Sequence, residues 1–152
     1  MTTYADTGFL CSLYAPDAHT RRAVARMSRQ TLPLPFTWLH QLEFRNALRL
    51  RVFRGEITPK QREASLNALQ ADFAAGVLIH AEPHLADISL EAERQSALHS
   101  EILGTRSLDI LHVASAVVLG LSDFLTFDHR QHALARAAGL HVPVTKPPSL
   151  TA

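Results

Sequence analysis

Four carboxylates carry the chemistry that this 152-residue sequence offers. Asp6 and Asp128 each follow a short run that reads as a strand and precede a helical one, and Asp109 falls in the first turn of a third helix. In an open parallel sheet, ligands bind at the carboxyl ends of the strands, so these three acids can meet there. Taken singly, each serves equally well as a cap, because Asp favours N-caps and a first-turn acid complements the helix dipole by about 0.3–1 kcal/mol. Glu43 is different. Helical spacing from Trp38 aligns it with Leu39, Ala47 and Leu50, and a carboxylate on a core-facing stripe is costly to bury unless paired or metal-bound. Arg45 and Arg49 on the same helix are the alternative partners. Four converging carboxylates repel one another and raise each other's pKa values unless a cation neutralises them. Mg²⁺ or Mn²⁺ suits such a set, using a few carboxylates, waters and substrate phosphate oxygens. The chemistry this permits is metal-assisted phosphodiester hydrolysis.

The elements that hold these acids follow from Pro, Gly and apolar spacing. Thr2–Ala5 reads as a strand, Thr7 to about Tyr14 as a helix, and Pro16 with Asp17 as the start of a second helix reaching about Arg29. Leu32–Thr37 reads as a strand whose Pro33 and Pro35 suit an edge. A helix runs from Trp38 to Arg54, stopped by Gly55. Thr58 and Pro59 are a cap and first position for a helix to about Ala75, closed by Gly76. Val77–His80 is a strand, Leu85–Leu103 a long helix, and Ser107 caps a helix reaching Leu119. Phe124–Phe127 is a strand, His129–Ala138 a helix ended by Gly139, and Leu140–Val144 a last strand. Strands alternating with helices imply a mostly parallel sheet with helices on both faces. One domain is expected over residues 1–145, with a Pro-containing flexible tail at 146–152.

Apolar residues make up 47% of the chain and charged ones 19%, a globular balance that excludes a disordered or fibrous chain. The net charge of +1 hides an asymmetry: residues 1–62 carry 10 basic and 4 acidic side chains, and residues 63–152 carry 5 and 10. Local charge is therefore the guide to partners. All the basic residues but Lys60 and Lys146 are Arg, which suits bidentate phosphate contacts, although a biased genome gives the same excess. A lone Cys11 can form neither an internal disulfide nor a thiolate zinc site, as expected in a reducing compartment. The start lacks the basic and apolar regions of a signal peptide, and the most apolar stretch, from Ile110 to Leu121, falls short of the ~20 residues of a membrane span. A cytoplasmic location without membrane insertion is expected.

The acids recur within four ordered motifs: Tyr4-Ala5-Asp6-Thr7, Leu42-Glu43-Phe44-Arg45-Asn46-Ala47, Arg106-Ser107-Leu108-Asp109-Ile110-Leu111-His112-Val113-Ala114-Ser115-Ala116, and Phe124-Leu125-Thr126-Phe127-Asp128. In this order and spacing they resemble the PIN-domain ribonucleases, and the length is similar to that of the small VapC-type toxins of type II toxin-antitoxin systems. The resemblance covers the whole chain. It implies a three-layer α/β/α fold with a central, mostly parallel sheet, a Mg²⁺ (or Mn²⁺) site, and single-stranded RNA cleaved to leave a 5′-phosphate. Carried onto this sequence, Asp6, Glu43, Asp109 and Asp128 become the catalytic, metal-binding quartet. Thr7 and Thr126 match the hydroxyl residues that accompany the first and fourth acids and orient them. The resemblance also implies a small antitoxin partner and a homodimer.

Other residues are weighed against blander uses. His112 is expected to pack among the helices. A zinc site of Asp109, Asp128, His129 and His132 leaves Glu43 unexplained. Asp123, ahead of the fourth strand, reads as a turn residue. Arg22, Arg26 and Arg29, and Arg45 with Arg49, recur at helical spacing; by default this is a solvated face, and as a hypothesis it is a path for the RNA backbone. Arg106 is the basic residue expected nearest the scissile phosphate. Trp38 and Phe36 offer rings for base stacking, with core packing the expected use. A phosphoacceptor receiver needs a second acid at strand one and an Asp ending strand three, where Thr7 and His80 stand. A haloacid-type phosphatase needs an Asp where Gly8 stands. The remaining alternative is a catalytically silent PIN-like module that binds RNA or protein; its mark would be a missing acid, and none is missing.

Overall fold

The computed structural model describes residues 2–144, so the expected tail at 146–152 lies outside the described residues. In chain order the elements are β1 (Thr3–Ala5), α1 (Thr7–Tyr14), α2 (Thr20–Met27), β2 (Leu34–Phe36), α3 (Trp38–Phe53), α4 (Pro59–Ala74), β3 (Leu78–His80), α5 (Leu85–Leu103), α6 (Ser107–Val118), β4 (Asp123–Leu125) and α7 (His129–Ala137). They divide into two compact units, Ala5–Glu82 and Thr2–Tyr4 with the chain from Pro83 onward.

In the first unit, β2 runs parallel to β3, with Leu34 opposite Leu78 and Phe36 opposite His80. The Leu34 N–H donates to the Val77 carbonyl (2.9 Å) and the Ala81 N–H to the Phe36 carbonyl (3.0 Å). Pro35 has no N–H to give, and a two-stranded pair tolerates this as an edge does. α1 packs against α2, α3 and α4, and Phe9, Leu10, Phe44 and Leu48 of these helices are buried. Tyr14 meets Phe44 edge-on, and Phe73 meets Phe36 in the same way.

Two expectations change here. α2 begins at Thr20 rather than Pro16, because Asp17 is consumed by a turn: its carboxylate accepts the His19 N–H and its own N–H donates to the Thr20 hydroxyl, each at 2.8 Å. The buried face of α3 is Leu39, His40, Phe44 and Leu48, not the 39/43/47/50 stripe. A polar-looking His40 is a core residue, while Leu50 is 39% exposed. Trp38, expected in the core, is 48% exposed. The start of α4 is as expected: Thr58 and Gln61 form a reciprocal capping box with Pro59 in the first turn. Gly76 follows that helix at φ 73°, a conformation that favours glycine.

In the second unit, β1 pairs with β4, and α5 packs on α6 and α7. Tyr4 stacks on Phe124 within a core that includes Ile110, Val113, Leu134 and Leu140. The cap of α6 is Arg106, not Ser107: its backbone is still extended, and its carbonyl accepts the first helical bond, from Ile110 N–H at 3.1 Å. β4 starts one residue earlier than expected, so Asp123 is a strand residue rather than a turn residue. Its N–H donates to the Thr2 carbonyl (2.9 Å). The last expected strand reduces to a single parallel bridge between Asp123 and His141, and Pro143 has no N–H with which to continue a ladder.

Candidate functional site

The expected acids come as two pairs, one in each unit. In the first, Asp6 ends the extended chain and caps α1, its Oδ1 accepting the Phe9 N–H at 2.7 Å. The next residue, Thr7, donates its hydroxyl to Glu43 Oε1 at 2.9 Å. Asp6 is buried and Glu43 half-buried, and Thr7 ties the chain just after Asp6 to a carboxylate in the middle of α3. Thr7, the residue expected to orient Asp6, donates to the second acid of the quartet, Glu43.

In the second unit, Asp128 caps α7, and its Oδ1 accepts the Gln131 N–H at 2.8 Å. The Gln131 side chain donates Nε2 to the backbone carbonyl of Asp109 at 3.2 Å. Gln131 is 1% exposed and ties the two acid-bearing helix starts together. Thr126 is also buried, but its hydroxyl accepts the Asp128 backbone N–H (3.0 Å) and so fixes the turn, not the carboxylate. Asp109 is half-buried and Asp128 exposed. Arg106 Nε sits 3.0 Å from Asp109 Oδ2, its own side chain 65% exposed.

The histidines divide as their burial dictates. His112 is buried, its Nδ1 bonded to the Tyr4 hydroxyl at 2.8 Å, as expected of a packing residue. His129 stands exposed at the start of α7. Asp123 pairs with His141 at 3.3 Å. On α3, Arg45 is half-buried and Arg49 exposed. Two residues escaped sequence reading. Gln131 gives no motif signal, and His40 is a polar residue type that an apolar pattern passes over; only its place three residues after Thr37, a capping-box position, points to it.

Burial pushes the Cys11 thiol up to about 12, with Arg51 opposing, so this lone cysteine is held as an inert thiol. Among the described residues, no three or more His, Cys, Asp or Glu side chains of either unit cluster as ligands. The donor chemistry nonetheless suits a hard divalent ion: each pair is made of carboxylate oxygens, and Mg²⁺ typically takes only one or two protein carboxylates, the rest being water and phosphate.

The fold matches solved structures along most of the chain. VapC20 of Mycobacterium tuberculosis, described as a toxin that cleaves the sarcin-ricin loop, gives a TM-score of 0.66 at 17% identity, covering 87% of this chain and 94% of that one. FitAcB from Neisseria gonorrhoeae gives 0.61 at 18% identity, covering 93% and 96%. VapBC2 from Rickettsia felis, solved bound to a DNA fragment from their promoter, gives 0.62 at 11% identity, covering 97% and 100%. These likenesses show the fold: the helix-rich α/β, PIN-like architecture with parallel strands that the motifs imply. No family model matches the sequence, and no curated protein does.

Proposed function

We propose that the chain is a Mg²⁺- or Mn²⁺-dependent endoribonuclease that hydrolyses phosphodiester bonds in single-stranded RNA, acting in the cytoplasm as the toxin of a toxin-antitoxin pair. The observation that carries this reading is the pairing of the four acids: Glu43 accepts the hydroxyl of Thr7, the residue after Asp6, and Asp109 and Asp128 are both tied to Gln131. Asp6 with Glu43, and Asp109 with Asp128, are the carboxylates that would hold the cation, directly or through water. When bound, it neutralises the scissile phosphate and stabilises the departing 3′ oxygen. The chain's own contribution is orientation. Thr7 fixes the rotamer of Glu43, and the caps on Asp6 and Asp128 fix theirs, so little side-chain freedom is lost when the substrate arrives. Arg106, exposed beside Asp109, exchanges its carboxylate partner for a phosphate oxygen. Arg45 and Arg49 line α3 as further cations for the RNA backbone.

A small antitoxin and a second copy of the chain are the proposed protein partners. The description of the mycobacterial neighbour as a toxin, and of the rickettsial VapBC2 as bound to promoter DNA, support the toxin-antitoxin reading.

The test incubates the purified chain with single-stranded RNA and sequences the fragment ends. Cleavage with Mg²⁺ or Mn²⁺, leaving 5′-phosphates and stopped by EDTA, is the expected result. RNA bound but uncut in both metals would overturn it in favour of a silent binding module.

A further inference from the structure

We infer that His40 is a positioning residue for Asp6, an inference that rests on the metal-dependent reading above. His40 is fully buried on α3 and its ring stacks on Phe36. The Thr37 backbone N–H donates to His40 Nδ1 at 2.9 Å, so that nitrogen is the acceptor. The ring proton therefore sits on Nε2, which donates to the carbonyl of Ala5 at 2.7 Å. Ala5 immediately precedes Asp6. One helical turn further along α3, Glu43 accepts from Thr7, which immediately follows Asp6. α3 thus holds the chain on both sides of Asp6, through the carbonyl of residue 5 and the hydroxyl of residue 7.

A residue kept only to complete the capping box needs just the acceptor, which Glu or Gln supplies at this position in many helices. His40 provides the acceptor and, from the opposite side of the ring, a donor aimed at the residue before the acid. The second bond sets the direction in which the chain leaves β1, and with it the place of the Asp6 carboxylate. A group holding a metal-binding residue in this way is worth about 10–100-fold in metal affinity or activity.

The decisive variants separate the two bonds. His40→Asn keeps an acceptor near the Nδ1 position and is too short to reach Ala5. His40→Glu keeps the acceptor and lacks the donor. His40→Gln supplies both, Oε1 for Thr37 and Nε2 for Ala5. Mn²⁺ affinity is read from the electron paramagnetic resonance of free Mn²⁺, and the Asp6 cap from hydrogen exchange of the Phe9 amide. The expected result is Mn²⁺ affinity lowered about 10–100-fold in the Asn and Glu variants, with faster Phe9 exchange, and both restored in His40→Gln. A folded Asn or Glu variant with parental Mn²⁺ affinity and parental Phe9 exchange would overturn the inference, as would a Gln variant as impaired as the other two. If the parent itself binds no Mn²⁺, it is the metal-dependent reading that fails; Phe9 exchange across the variants then decides the positioning role by itself.

Discussion

Glu43 is held by the hydroxyl of Thr7, the residue after Asp6, whereas Asp109 and Asp128 are joined by one buried residue, Gln131, whose backbone N–H donates to the Asp128 carboxylate and whose side-chain amide donates to the Asp109 carbonyl. In the first pair, Thr7 fixes a rotamer. In the second, Gln131 fixes the separation of two helix starts and leaves the Asp109 carboxylate to Arg106. The two acids that do not cap helices are therefore held by different means: a hydroxyl on the carboxylate of Glu43, and a backbone tether plus an exposed counter-charge at Asp109. Removing a tether from the first should cost activity more than stability, and removing one from the second should do the reverse.

The largest effect belongs to the acids themselves. Asp6→Asn and Asp109→Asn should each fold and lose RNA cleavage by about 100-fold or more, equivalent to about 2.7 kcal/mol of transition-state stabilisation, in single-turnover assays with Mg²⁺. Next is Thr7→Val, expected to lower cleavage about 10-fold with little change in the urea midpoint, and Thr7→Ser should restore it. Gln131→Leu removes a buried donor and is expected to cost about 1–3 kcal/mol in urea unfolding, with a smaller loss of cleavage. If Gln131→Leu instead abolishes cleavage without destabilising the fold, the contrast between the pairs is wrong.

How much of this was legible in the sequence depends on the range of the interaction. Asp6 and Asp128 were readable as acids at strand-to-helix junctions because caps are local, and the side-chain oxygen of each does accept an amide N–H three residues on. The α4 cap and the glycine stops were readable for the same reason. The α3 stripe was misjudged because its core face includes a histidine whose bonding partners, Thr37 and Ala5, make it buriable; a hydrophobic pattern cannot show that. The start of α2 was misjudged because Asp17 serves a turn and also receives the Ser12 hydroxyl and Arg51 from other segments. Thr7 to Glu43 and Gln131 to Asp109 leave no trace in any window, since they join residues 36 and 22 positions apart.

The smaller predictions sharpen the same contrast. Arg106→Ala should change stability by less than ~1 kcal/mol, because its pair with Asp109 is exposed, while the salt dependence of RNA binding falls by about one unit of slope. Asp17, whose partners are Ser12, His19 and Arg51 rather than any of the four acids' tethers, should show the smallest effect, and only as a pH dependence. Burial alone would raise its carboxyl, but the His19 N–H, the Ser12 hydroxyl and Arg51 outweigh this and hold it below the usual range. A depressed folded-state value stabilises the fold above the unfolded pKa of about 3.9, and that contribution fades as pH falls through the folded value. Urea midpoints of Asp17→Asn and parent should therefore differ at pH 7 and converge in acid, with RNA cleavage unchanged.

The most direct measurement is a Mn²⁺ titration of the parent, Asp6→Asn and Asp109→Asn proteins, followed by the electron paramagnetic resonance of the free ion. The four-acid account predicts saturable binding by the parent and weakened binding by both variants, one from each pair. A parent that takes up no Mn²⁺, or folded variants that bind it as tightly as the parent, would contradict the account.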